Sequence, residues 1–143
     1  MKYIAICGNA DSAFEAIGLS ALVLYEKGCV TEAFANDCIV RESEYPTGIP
    51  SEIPVALPHC FTNSILADAI CYLRLSEPVK FMRMDDDQNF IETRHVFNLA
   101  ITRDNQLAFL SGLVQKIQDE GFMRRLDGTD IEQVPALLKG ALG

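Results

Sequence analysis

Apolar and polar positions along this chain fall into two rhythms. Tyr3, Ile4, Ala5, Ile6 and Cys7 form an unbroken apolar run that predicts a short strand over 2–7. Spacing then changes to three and four. Phe14, Ile17, Ala21, Leu24 and Tyr25 predict a helix capped by Asp11 or Ser12 and ended by Gly28. A second helix, capped by Thr31 and carried to about Glu44, turns Phe34, Cys38 and Ile39 inward. Pro46, Gly48 and Pro50 make 44–52 a loop. Short extended segments follow: 53–57, closed by Pro58; 69–75; an edge strand over 79–84 after Ser-Glu-Pro; and 95–101. The helical rhythm then returns. Asp104 is the expected cap of a helix with Leu107, Leu110, Leu113, Val114 and Ile117 on one stripe, followed by helices near 120–126 and 130–138. Helices, then strands, then helices predict an α/β fold, a mixed sheet sandwiched by helices, in one domain over 1–143.

Composition narrows the function classes. Apolar residues make up 49% of the chain, enough for a full core. The net charge of −8 argues against nucleic acid, which needs a basic face. The five cysteines are odd in number and contain no C-x-x-C, so reduced packed thiols are expected rather than a disulfide framework or structural zinc. The apolar run at 13–25 carries Glu15 and is too short to span a bilayer, and the N-terminal run is too short for a secretion signal. No direct membrane insertion and a cytoplasmic location are expected.

Common catalytic motifs are missing: no phosphate-binding loop, no G-x-G-x-x-G, no G-x-S-x-G and no H-E-x-x-H. The run Asp85-Asp86-Asp87-Gln88-Asn89 begins like a calcium loop, but Phe90 stands where glycine is needed and Val96 where a glutamate is needed, so a solvated turn is expected. The chain has two histidines. His59 and Cys60 are neighbours on an extended segment and should face opposite sides, which excludes a dyad between them. His59 leaves a short strand after Pro58, a place where functional groups are displayed, though a packed structural histidine fits the spacing equally well. His95 opens a strand and by itself reads as a capping or interface histidine.

The segment RESEYPTGIPSEIPVALPH (41–59) resembles the signature of enzyme IIA domains of the bacterial phosphoenolpyruvate-dependent sugar phosphotransferase system, in the fructose–mannitol–galactitol class. Arg41, Glu42, Pro46, Thr47, Gly48, Ala56, Pro58 and His59 agree with it in order and spacing, and FNLAITRDNQLAFLSGLVQKIQDEGFMRRL (97–126) resembles the family's closing strand and helix. The resemblance implies a phosphocarrier. His59 would accept a phosphoryl group from phospho-HPr and pass it to a cysteine of the cognate enzyme IIB, Arg41 would stabilise the group, and no cofactor or metal would be needed. Read alone, Arg41 is a solvent-facing helix residue paired with Glu42 or Glu44. The second histidine of many members falls here on Leu107, so His95 or Asn105 is the candidate to fill that place. Phe61, Ile53 and Ile49 are candidate rim residues around His59. The unattached chain and the PHCF context lean toward the galactitol branch. The alternatives are a regulatory module of the same fold that binds a partner according to its phosphorylation, and a binding domain in which His59 is simply buried.

Overall fold

Ser12 opens the first helix as expected: its backbone is extended and its hydroxyl accepts the Glu15 N–H (3.1 Å), which satisfies one of the unpaired amides of the first turn. The computed structural model describes the backbone of residues 1–143 and every side chain except that of Arg103. In chain order the elements are β1 (Lys2–Gly8), α1 (Ala13–Glu26), α2 (Ala33–Glu44), β2 (Gly48–Ile49), β3 (Val55–Ala56), β4 (Ala69–Met82), β5 (Phe90–Ala100), α3 (Arg103–Ile117), α4 (Glu120–Asp127) and α5 (Val134–Leu142), with a 3₁₀ turn at Ile131–Gln133. Gly28 ends α1 with φ of 75°, a backbone conformation that a side chain disfavours.

One five-stranded sheet runs β1-β4-β5-β3-β2. β1 lies parallel to β4, β4 antiparallel to β5, β5 parallel to β3, and β3 antiparallel to β2. Alternation along the strands divides the core. Ile4, Cys71, Leu73, Val96 and Ala100 pack with Ile17, Leu24, Phe34 and Cys38 of α1 and α2. Leu57, Ile70, Tyr72, Phe97 and Leu99 pack with Leu113, Ile117, Met123, Leu126 and Leu138 of α3, α4 and α5. The mixed sheet between two helical layers is the expected architecture. Burying each of these large side chains contributes about 1.5–3 kcal/mol, so both layers are firmly held to the sheet.

Several boundaries depart from expectation for local reasons. The two strands expected at 69–75 and 79–84 are one strand, β4, with a register shift between Arg74 and Val79. Pro78 is tolerated there because β1 ends at Gly8 opposite Leu75, so no neighbour needs its missing amide. The loop at 44–52 contains β2, held close to the β4–β5 hairpin: Met84 N–H donates to the Gly48 carbonyl (2.8 Å), and a Cβ on Gly48 would come within 2.6 Å of the Met82 carbonyl oxygen. The strand expected over 53–57 narrows to Val55–Ala56. Neither Thr31 nor Asp104 caps its helix through a side chain. Thr31 offers its carbonyl to Phe34 N–H, and Thr102 stands just before α3 as its cap residue, its N–H donating to the Asp68 carboxylate (2.8 Å). Phe14, Tyr25 and Leu107 follow the helical stripe in sequence yet are 47%, 43% and 82% exposed.

Candidate active site

His59 stands where the chain leaves β3, held by a single bridge to Leu99 of β5. Ordinary strand alternation sorts the neighbouring side chains. Leu57 joins the core beneath α3, while Cys60 turns to the opposite core, its sulfur 3.4 Å from Cys38 of α2. His59 and Cys60 therefore face different layers. His59 is only 8% exposed, and it lines a cleft of about 970 Å³ with Arg41, Tyr45, Thr47, Leu57 and Leu107.

The ring is fixed. Its Nδ1 lies 2.6 Å from the Leu57 carbonyl oxygen. A carbonyl can only accept, so Nδ1 carries the proton and the neutral ring keeps its lone pair on Nε2. Nε2 has no hydrogen-bond partner among the described residues and is not sealed from solvent. Burial holds His59 below the ordinary imidazole range; the Leu57 carbonyl opposes this and the Arg41 guanidinium adds to it. At neutral pH the ring is an uncharged base aimed into the cleft.

Arg41 comes from the last turn of α2, where a cation is favoured by the helix dipole. Its guanidinium carbon sits 4.2 Å from the Tyr45 ring centroid and 5.8 Å from that of Phe61. No ion pair ties it to Glu42 or Glu44 among the described residues, and its buried Nε makes no hydrogen bond. Two aromatic rings thus hold a charged, planar donor in place without using up its N–H groups. A neutral nucleophilic nitrogen and an uncommitted guanidinium on one cleft can receive a tetrahedral anion: one supplies the bond, the other donors to its oxygens.

A family model for the phosphoenolpyruvate-dependent sugar phosphotransferase system, EIIA 2, matches residues 1–141. The chain belongs to this family. Among curated relatives it is 32% identical over 101 residues to the galactitol-specific EIIA component of Escherichia coli strain K12, covering 70% of this chain and 67% of the relative. It is 27% identical over 128 residues to the transcriptional regulator ManR of Bacillus subtilis, covering 83% of this chain and 19% of that protein. In fold it resembles a chain in the complex of enzyme IIAMTL and phosphorylated enzyme IIBMTL from Escherichia coli, with a TM-score of 0.76, 23% identity, and coverage of 97% of this chain and 94% of that one. The type is galactitol-like, and EIIA components as a class are phosphotransferases.

In this EIIA chain Leu107, the position matching the second histidine, does line the His59 cleft, on the first turns of α3. Neither expected substitute reaches it. His95 lies four residues from Leu99 along β5, about 13 Å at ordinary strand rise, in a separate recess with Ile53, Pro54, Arg94 and Asp127. Its Nδ1 meets the Tyr72 hydroxyl (2.7 Å) and its Nε2 lies 4.0 Å from Asp127. Asn105 donates to Asp68 (3.0 Å) at the start of α3. Of the three expected rim residues, Phe61 is beside the site, under Arg41; Ile49 is buried in the core and Ile53 borders the His95 recess. Sequence reasoning also missed the wall formed by Met84, Asp85, Asp86 and Asp87, which the β4–β5 hairpin folds onto the cleft.

Burial pushes His95 down to about 4, with Asp127 opposing and Arg94 and Arg74 adding to the fall. The unfolded chain takes up this proton near pH 6.5, the folded one only near 4, so stability drops as pH falls through that window. His95→Gln should therefore remove about 2–3 kcal/mol of acid sensitivity between pH 7 and 4.5. Phosphoryl acceptance should stay within about twofold of the parent, since the residue lies outside the cleft. Urea unfolding at the two pH values and a phosphorylation time course check both halves.

Proposed function

We propose that this chain is a phosphocarrier in which His59 is the transient phosphohistidine. The supporting observation is the tautomer lock: the Leu57 carbonyl holds the proton on Nδ1 and leaves Nε2 as the nucleophile beside Arg41. In the proposed step the Nε2 lone pair bonds to phosphorus as the donor's phosphorus–nitrogen bond breaks, and the departing imidazole of phospho-HPr keeps that electron pair. The His59 ring becomes cationic with its proton still on Nδ1, where the Leu57 carbonyl stabilises it more strongly than in the neutral ring. Arg41 offers N–H groups to the equatorial oxygens in a transfer that depends on positioning and charge. A cysteine thiolate of the cognate enzyme IIB then takes the group by the reverse geometry, which places the chain in the cytoplasm in galactitol-type sugar uptake. The test is incubation with phosphoenolpyruvate, enzyme I and HPr. An acid-labile gain of one phosphoryl mass is expected, and its absence defeats the reading. The ManR similarity favours a second reading, a regulatory module; a phosphorylated chain that passes its group to no IIB would support it.

Both partners must approach an acidic rim. Asp85, Asp86, Asp87 and Glu44 border the cleft, while Leu107, Met84 and Tyr45 give it exposed apolar surface. Replacing the three aspartates by asparagine should slow second-order phosphorylation several-fold at low salt and leave the maximal rate unchanged. The difference should vanish at high ionic strength, because exposed charges steer association only within a Debye length of about 10 Å at 0.1 M. Stopped-flow rates at two salt concentrations decide it.

A further inference from the structure

Glu42 is a charged residue on α2 that is only 6% exposed. Burying a carboxylate is costly unless its oxygens are matched. Here one residue matches both: Thr47 N–H donates to Oε2 (2.7 Å) and the Thr47 hydroxyl donates to Oε1 (2.7 Å). Burial still pushes the Glu42 carboxyl up to about 7, against the pull of the two Thr47 bonds and Arg41. An exposed serine or a water could have closed the Pro46–Gly48 turn more cheaply, so the use of a buried carboxylate needs a reason.

The bonds beyond Thr47 supply one. The Thr47 carbonyl accepts the Leu57 N–H (3.3 Å), and the Leu57 carbonyl accepts Nδ1–H of His59 (2.6 Å). Glu42, Thr47, Leu57 and His59 form one connected relay, joined through the backbones of Thr47 and Leu57, so that the placement of Glu42 bears on the placement of the Leu57 carbonyl. Glu42 also directly follows Arg41 on α2, so the same carboxylate ties the helix that carries the guanidinium to the strand that aims the imidazole. The geometry points to Glu42 as a positioning residue that fixes the His59 tautomer and its register with Arg41 through Thr47 and Leu57. Glu42 touches neither the phosphoryl group nor the ring. Its effect on transfer rests on the phosphocarrier reading, whereas its effect on the tautomer does not.

Two variants of the full chain test this. Glu42→Leu removes both acceptors. Glu42→Gln keeps them in altered form: its carbonyl accepts Thr47 N–H and its amide donates to the Thr47 hydroxyl oxygen. Long-range ¹H–¹⁵N spectra of the unphosphorylated proteins at pH 8 report which His59 nitrogen carries the proton. The parent and Glu42→Gln should show Nδ1–H alone. Glu42→Leu should show a clear population protonated on Nε2, with a maximal rate of phosphoryl uptake about tenfold lower, as misplacement of a reacting group predicts, and an unchanged half-saturating concentration of phospho-HPr. A folded Glu42→Leu protein with Nδ1–H alone and the parent's rate overturns the proposal. If Glu42→Leu does not fold, Thr47→Val, which deletes one of the two bonds, is read in the same way: a partial tautomer shift supports the proposal and an unshifted tautomer overturns it. A tautomer that responds to Glu42 in a parent that accepts no phosphoryl group would defeat the carrier reading alone.

Discussion

His59→Gln should abolish phosphoryl uptake from phospho-HPr, with a loss of about 10⁴-fold or more expected if the nucleophile itself is removed. Glutamine suits the experiment because its failure would be chemical. It approximates the reach of the ring, its amide N–H can still donate to the Leu57 carbonyl that now holds Nδ1, and it carries no charge into a site that burial already keeps neutral. Its nitrogen lone pair is delocalised into the carbonyl, so it has nothing to offer phosphorus. Unfolding free energy should therefore change by no more than about 1 kcal/mol, and affinity for HPr should be nearly unchanged, while the acid-labile mass gain disappears. A variant that still takes up one phosphoryl group would assign the chemistry to another residue.

How far the site could be read from sequence depended on how local each determinant was. The tautomer lock is a contact between residues 57 and 59, and Pro58 between them was a visible sign that the backbone there is fixed. The opposite orientation of His59 and Cys60 follows from strand alternation alone. Long-range placement was harder to read. His95 failed as a partner because its distance from His59 depends on the β3–β5 register, which pairs Ala56 with Val96 and His59 with Leu99, and no pattern within either segment encodes that offset. The Asp85–Asp87 turn looks solvated from its composition, and its acidic groups do bond one another's neighbours at the surface. Only the length of the β4–β5 hairpin brings it to the cleft. Glu42 in sequence resembles any charged residue on a helix surface, and its burial depends on the Pro46–Gly48 turn folding back over it. The absent Cβ of Gly48, which lets that turn lie against the Met82 carbonyl, was legible as backbone geometry, but its contact was not. The exposure of Leu107 shows the limit of periodicity: the buried stripe of α3 runs through Gln106, Leu113 and Ile117, so position 107 sits beside it and borders the cleft instead of the core.

Arg41→Ala should lower the rate of phosphoryl transfer about 10²–10³-fold, equivalent to about 2.7–4 kcal/mol of barrier, the usual consequence of deleting one fixed donor to a developing oxyanion. Arg41→Lys should recover only part of it. An ammonium restores the charge, but it cannot stack on Tyr45 and Phe61 as a plane or present paired N–H groups to two oxygens. The loss should appear in the maximal rate, because the guanidinium bears on the group in flight more than on the docked partner. A second readout separates this role from simple packing. The Arg41 charge helps to hold the His59 pKa down, so its removal should raise that pKa while the hydrogen bond to Leu57 persists. ¹H–¹⁵N titration of the unphosphorylated protein follows the shift directly. An Arg41→Ala variant with an unmoved His59 titration and an undiminished rate would place the guanidinium's charge outside the reach of Nε2. A raised pKa accompanied by a slower rate would tie both effects to one cation beside one imidazole.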